Sequence, residues 1–169
     1  MIIDTSSYIP FQRELDERIF TTHQTNRENT RLDRTLALCV ELSEFVNETR
    51  CFKYWSHKPA SELSILLEEY ADGLHFLNSL CIDLDYSPVI ESSPSSSTLS
   101  EATLHAYQSI MLCVEHFDVD HLKNAYQAYA NIGEKCGFTS EMIFEAYISK
   151  HKKNRSEERR VGKECRYRW

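Results

Sequence analysis

Two stretches of the chain carry acids where a packing helix would normally carry apolar residues. In ALCVELSEFVNET, residues 37–49, the stripe Ala37-Glu41-Glu44-Glu48 runs at four-three-four spacing. In LLEEYADGLHFL, residues 66–77, the residues Leu66, Tyr70, Leu74 and Leu77 make one apolar face, and Ile65-Glu69-Asp72-Phe76 makes a second stripe at the same spacing. Residues i and i+3 of a helix lie about 60° apart on one face. Glu41 therefore projects with Glu44, and Glu69 with Asp72. A connector of roughly ten residues favours antiparallel packing of the two helices, and facing stripes would bring four carboxylates into one cleft.

Four such groups cannot all stay ionised without compensation, because like charges about 4 Å apart repel by roughly 4 kcal/mol at an effective dielectric of 20. Some protonate, or basic side chains intervene, or a hard divalent cation sits between them. All-oxygen ligation suits Mg²⁺, with Mn²⁺ as the alternative. A di-iron bundle needs two Glu-x-x-His pairs; only Asp72-Gly-Leu-His75 resembles one, so that reading loses. Acid pairs at i, i+3 also occur on solvated faces, so neither pair alone marks a site. Glu68 falls on the opposite side of its helix and is expected to face water.

The elements that must hold these acids read as helices. Helical periodicity recurs and strict alternation does not. Expected segments are 8–20 (Phe11, Leu15 and Ile19 at helical spacing), 31–49, about 61–83 with Ser61 as N-cap, 101–117, 119–136 and 140–154. Gly137 is expected to stop the fifth and Thr139 to cap the sixth. DLDYSPVIESSPSSSTLS, about 83–100, is read as a polar, mobile loop inside one domain. The fold class is all-α, a bundle of five to six helices.

Composition agrees: 169 residues suit one domain, and Gly and Pro number four each. No apolar run is long enough for a membrane span, and the N-terminus shows no secretory signal. The six cysteines lack zinc or C-x-x-C spacing and read as reduced thiols of a cytoplasmic protein. Residues 155–169, RSEERRVGKECRYRW, look like a translated sequencing adapter and are set outside the fold. Without their six basic and three acidic residues the net charge is −10 rather than −7, which argues against nucleic-acid binding.

Glu41-x-x-Glu44 followed by Glu69-x-x-Asp72 resembles the E-x-x-E…E-x-x-D signature of the all-α NTP pyrophosphatases. The fuller run VELSEFVNETRCFKYWS…LLEEYADGLHFLNSL resembles the dimeric, type 2 dUTP diphosphatases of bacteria and their phages. FQRELDERI and YISKHKKN are similar to further segments of that family, and together these matches cover most of residues 8–154. The acid signature alone is shared with MazG-like and dCTP-hydrolysing relatives.

The resemblance implies a Mg²⁺-dependent, homodimeric enzyme converting dUTP to dUMP and pyrophosphate. Glu41, Glu44, Glu69 and Asp72 would hold the metal, with Glu41 also activating water. Gln12, Asn47, Lys53, Trp55, His75, Phe76, Lys150 and Asn154 become candidate substrate contacts. For each a packing or solvation role is the alternative. The family continues beyond Asn154 with an Arg-containing basic segment, so this chain is expected to be weakly active as written. A helical interaction module without catalysis is the competing class, and the 83–120 region is where a protein partner would bind.

Overall fold

The computed structural model describes the backbone of residues 1–93 and 96–164, and side chains up to Lys152 over the same ranges. Among the described residues six helices form the fold: α1 (Ile9–His23), α2 (Arg27–Thr49), α3 (Leu63–Asp83), α4 (Leu99–Glu115), α5 (Val119–Lys135) and α6 (Ser140–Glu164). The all-α bundle expected from periodicity is present.

Local chemistry starts and stops these helices as the residue types dictate. Asn26 caps α2 by accepting from the Asn29 amide at 2.9 Å, and Asp118 caps α5 through the His121 amide. Thr98 and Glu101 form a reciprocal capping box on α4. Gly137 adopts φ +79°, the left-handed geometry that ends α5 at low steric cost, and Thr139 Oγ1 accepts from the Met142 amide to open α6.

α3 is the central rod. Tyr70, Leu74 and Leu77 are fully buried, and Leu66 is half-buried. α3 packs against α2, α6, α1 and α5. The α2–α3 pair is antiparallel: the Ser61 amide donates to the Glu48 carbonyl at 3.0 Å near one end, and Arg34 reaches the Ser79 carbonyl at 3.2 Å near the other.

Several expectations need correction. Ser61 does not cap α3; the N-cap position is Glu62, which makes no side-chain cap bond, while the Ser61 hydroxyl donates to Glu48. Two short strands, β1 (Ile2–Asp4) and β2 (Val89–Glu91), pair antiparallel, with Ile3 opposite Ile90. Each strand buries only its central residue, too short an alternation to read from sequence. The stretch at 83–100 thus contains an ordered strand, anchored further where Thr5 bonds the Pro88 carbonyl. The backbone of α6 continues across 155–164, past the boundary drawn at 154.

Candidate functional site

α2 and α3 bring three carboxylates together. One oxygen each from Glu41, Glu69 and Asp72 lies within 4.8 Å of the others, and all three side chains are half-buried. Glu44 is exposed and outside that trio, but its charge is felt by all three. It lines a neighbouring groove with Val40, Ser43, Asn47, Glu48 and Glu69. Of the four acids, then, three converge and the fourth stands at the margin.

The electrostatics follow from that crowding. Burial, then the charges of Asp72, Glu44 and Glu69, push the Glu41 carboxyl up to about 7 against an opposing Lys150. Glu69 is raised by burial and by Asp72 and Glu44. Asp72 is raised by burial, although Lys150 pulls the other way. Lys150 enters from α6, its ammonium 2.6 Å from Asp72 Oδ2 and 3.5 Å from Glu68 Oε1. Burial opposes the charge on Lys150, yet the bond to Asp72 and the acidic neighbours raise its pKa. Glu68, expected to face water, is half-buried and turned toward α6. An all-oxygen, electron-rich trio with a lysine as its internal counter-ion fits a hard divalent cation.

Beside the acids lies a cavity of about 470 Å³ whose walls include Glu41, Asp72, Lys150, Gln12, His75 and Phe76. Gln12 is buried at 3 % exposure and already committed. Its Nε2 donates to Asp16 Oδ1 at 2.7 Å, and its Oε1 meets Tyr147 Oη at 2.6 Å and His75 Nδ1 at 2.8 Å. It does not present a free donor–acceptor pair to the cavity. His75 is 5 % exposed and stacks on Tyr147, centroids 3.9 Å apart.

The remaining candidates are placed elsewhere. Trp55 is 63 % exposed and packs edge-on against Tyr54 and Phe52 rather than lining the main cavity. Lys53 donates to Asn47 Oδ1 at 2.6 Å in the groove beside Glu44. The Asn154 side chain lies outside the described residues.

Sequence reasoning missed a polar network at the far wall. Asp16 Oδ2 receives Arg27 at 2.8 Å and the Ser79 hydroxyl at 2.6 Å. Arg34 forks onto Asp83 at 3.1 and 2.7 Å and also donates to Ser79. The i, i+4 spacing of Gln12 and Asp16 was the one local signal; the partners on α2 and α3 had none.

No curated protein matches the chain. A family model described as dUTPase, that of the type 2 enzymes, matches residues 5–161. With an acid trio on α2 and α3 beside a nucleotide-sized cavity, the chain belongs to the type 2 dUTPase family and is an enzyme, a nucleoside triphosphate pyrophosphatase.

Proposed function

We propose that the chain hydrolyses dUTP to dUMP and pyrophosphate with Mg²⁺, Mn²⁺ being the alternative ion, as a cytoplasmic homodimer. The observation that carries this reading is the convergence of Glu41, Glu69 and Asp72 at the wall of a cavity shared with Gln12, His75 and Phe76. A divalent cation held by Glu41, Glu69 and Asp72, with Glu44 at its edge, would neutralise phosphate charge and acidify the attacking water.

The chain's own residues do the rest. Glu41, on the cavity wall beside Asp72, would accept the proton of the attacking water. Lys150 exchanges Asp72 for phosphate oxygens, a point charge suited to that task. Phe76 offers an aromatic face to the base, and the Gln12–His75 pair a polar one. Asn47, Lys53 and Trp55 lie on the groove side and the connector, where they would meet the triphosphate tail or the second subunit. Asn154 is proposed to complete the phosphate contacts.

For the homodimer, support comes from α2. It buries Leu38, Leu42 and Phe45 yet also exposes Leu32, Leu36 and Val40, a second apolar stripe. A helix apolar on both sides is normally covered on both. α4 adds Leu104, Met111 and Val114, also exposed, and is tied to α2 where Ser43 Oγ and Tyr107 Oη meet at 2.7 Å. Among the described residues no helix is long and apolar enough to cross a membrane.

Pyrophosphate release from a panel of dUTP, dCTP, dTTP and UTP with Mg²⁺ tests the reading. Preference for dCTP would move the chain to the dCTP-hydrolysing relatives, and broad turnover to the MazG-like ones. No turnover, with or without a restored C-terminal basic segment, would leave the interaction module.

A further inference from the structure

Lys150 reaches the acid trio from α6 and stops between two carboxylates of α3. Its ammonium is 2.6 Å from Asp72 Oδ2 and 3.5 Å from Glu68 Oε1. The first is a short charge-assisted bond; the second is longer than a good N–H···O bond yet still within ion-pair range. Glu68 and Asp72 stand at i and i+4, neighbours on one helix face. The flexible stem of a lysine can therefore trade one carboxylate for the other while its backbone stays in place.

Glu68 is out of place by charge alone. It is not among the three acids that converge, yet, behind burial, its charge is among those that raise Asp72 and Glu69. A negative group there repels a triphosphate and adds to the crowding of the trio. What it offers is a second seat for the ammonium. That seat matters once the trio holds a divalent cation, because a dication and an ammonium sharing the Asp72 carboxylate repel each other at a few ångströms. Lys150, its side chain 22 % exposed, would otherwise swing out into water.

We propose that Glu68 is a positioning residue: with a divalent cation held at Asp72, Glu68 receives the Lys150 ammonium and keeps it on the cavity wall, where it meets the phosphate oxygens of the incoming nucleotide. The nucleotide rests on the function proposed above; the exchange between the two carboxylates rests on the metal alone. The two possible roles of Glu68 differ in sign. A mere neighbouring charge, once removed, would relieve repulsion and tighten the binding of a polyanion. Removing the seat of Lys150 loosens that binding.

The first test needs no nucleotide. It is ¹⁵N NMR of the lysine ammonium groups in the full chain, with Lys150 assigned by the signal missing from Lys150→Met. In the wild type that signal should be protected from solvent exchange without Mg²⁺, and should shift but stay protected when Mg²⁺ is added. In Glu68→Gln it should be protected before Mg²⁺ and lost to exchange after it. The change is isosteric at a side chain 40 % exposed, so the packing of α3 is untouched. The second test is calorimetric titration of α,β-imido-dUTP in the presence of Mg²⁺. Glu68→Gln should weaken binding roughly threefold to fivefold, the worth of one partly exposed ion pair. In the Lys150→Met background the same change should leave binding unaltered or tighten it.

A wild-type ammonium that Mg²⁺ leaves unmoved, or a Glu68→Gln ammonium still protected with Mg²⁺ bound, overturns the exchange. Tighter analogue binding in Glu68→Gln overturns it too, and makes Glu68 a bystander charge. Weakening of equal size with and without Lys150 is an effect that bypasses the lysine, and overturns it as well. An analogue that binds no variant, beside a Lys150 signal that behaves as expected, removes the nucleotide and leaves the exchange standing.

Discussion

Tyr70 and Tyr129 exchange hydrogen bonds across the α3–α5 contact, each hydroxyl donating to the other's backbone carbonyl, at 3.0 and 2.9 Å. Both are fully buried, with ring centroids 4.6 Å apart. Each ring lies where a glycine leaves room. A Cβ at Gly133 would stand 2.7 Å from Tyr70 Oη, and one at Gly73 would collide with the Tyr129 hydroxyl. Tyr70 follows Glu69 and Gly73 follows Asp72 in the chain, so this clasp sets the rotation of α3 that turns both carboxylates toward α2.

Gly73→Ala should therefore destabilise the fold by about 1–3 kcal/mol through overpacking, and Tyr129→Phe by about 1 kcal/mol through a lost bond. Urea unfolding measures both. A wild-type midpoint for Gly73→Ala would mean that the clasp has slack.

Glu41→Gln should keep the fold and lower dUTP turnover by about 10²- to 10⁴-fold, the usual loss when a general base is removed. Asp72→Asn should weaken Mg²⁺ uptake in the nucleotide-free protein, read by calorimetric titration. Retained turnover in the first variant would take the base role from Glu41.

Lys150→Met should do two opposite things. It removes the cation that neutralises Asp72, so Mg²⁺ should bind the nucleotide-free protein roughly fivefold more tightly, about the worth of one surface ion pair. At the same time KM for dUTP should rise. Weaker metal binding in this variant would show that the ammonium organises the acids instead of competing with the ion.

The metal-free protein should show opposing pH dependences of stability. Glu41 has a folded pKa of about 7 against an ordinary 4.5, so its contribution is full below 4.5 and is lost as pH rises through 7. His75, at about 3 against 6.5, contributes fully above 6.5 and loses that as pH falls toward 3. The two slopes oppose each other between 4.5 and 6.5. Urea midpoints in Glu41→Gln should then fall steadily with acid, and in His75→Asn should fall with rising pH from 4.5 to 7. Identical profiles for all three proteins would remove both assignments.

Leu36→Glu or Met111→Glu should convert a dimer to a folded monomer in sedimentation experiments, because each places a charge in the exposed α2–α4 apolar face. A dimer that survives both changes uses another surface.

What could be read from the residues alone was whatever a single helix enforces on itself. The Glu69–Asp72 pair, the apolar face of Tyr70, Leu74 and Leu77, the Gly137 stop and the Thr139 cap depend on a 3.6-residue repeat and on neighbours within one turn, and all are present. Relations between helices lie beyond that repeat. Which acids converge and which stands aside depended on the rotation of α3 against α2, set by buried tyrosines and glycines far along the chain. Lys150 meets Asp72 and Glu68, and Gln12 meets His75 and Tyr147, across separations of up to 135 residues that no periodicity encodes. Packing alone brings such groups within hydrogen-bonding distance, and there the desolvated interior makes every unmatched donor or acceptor count.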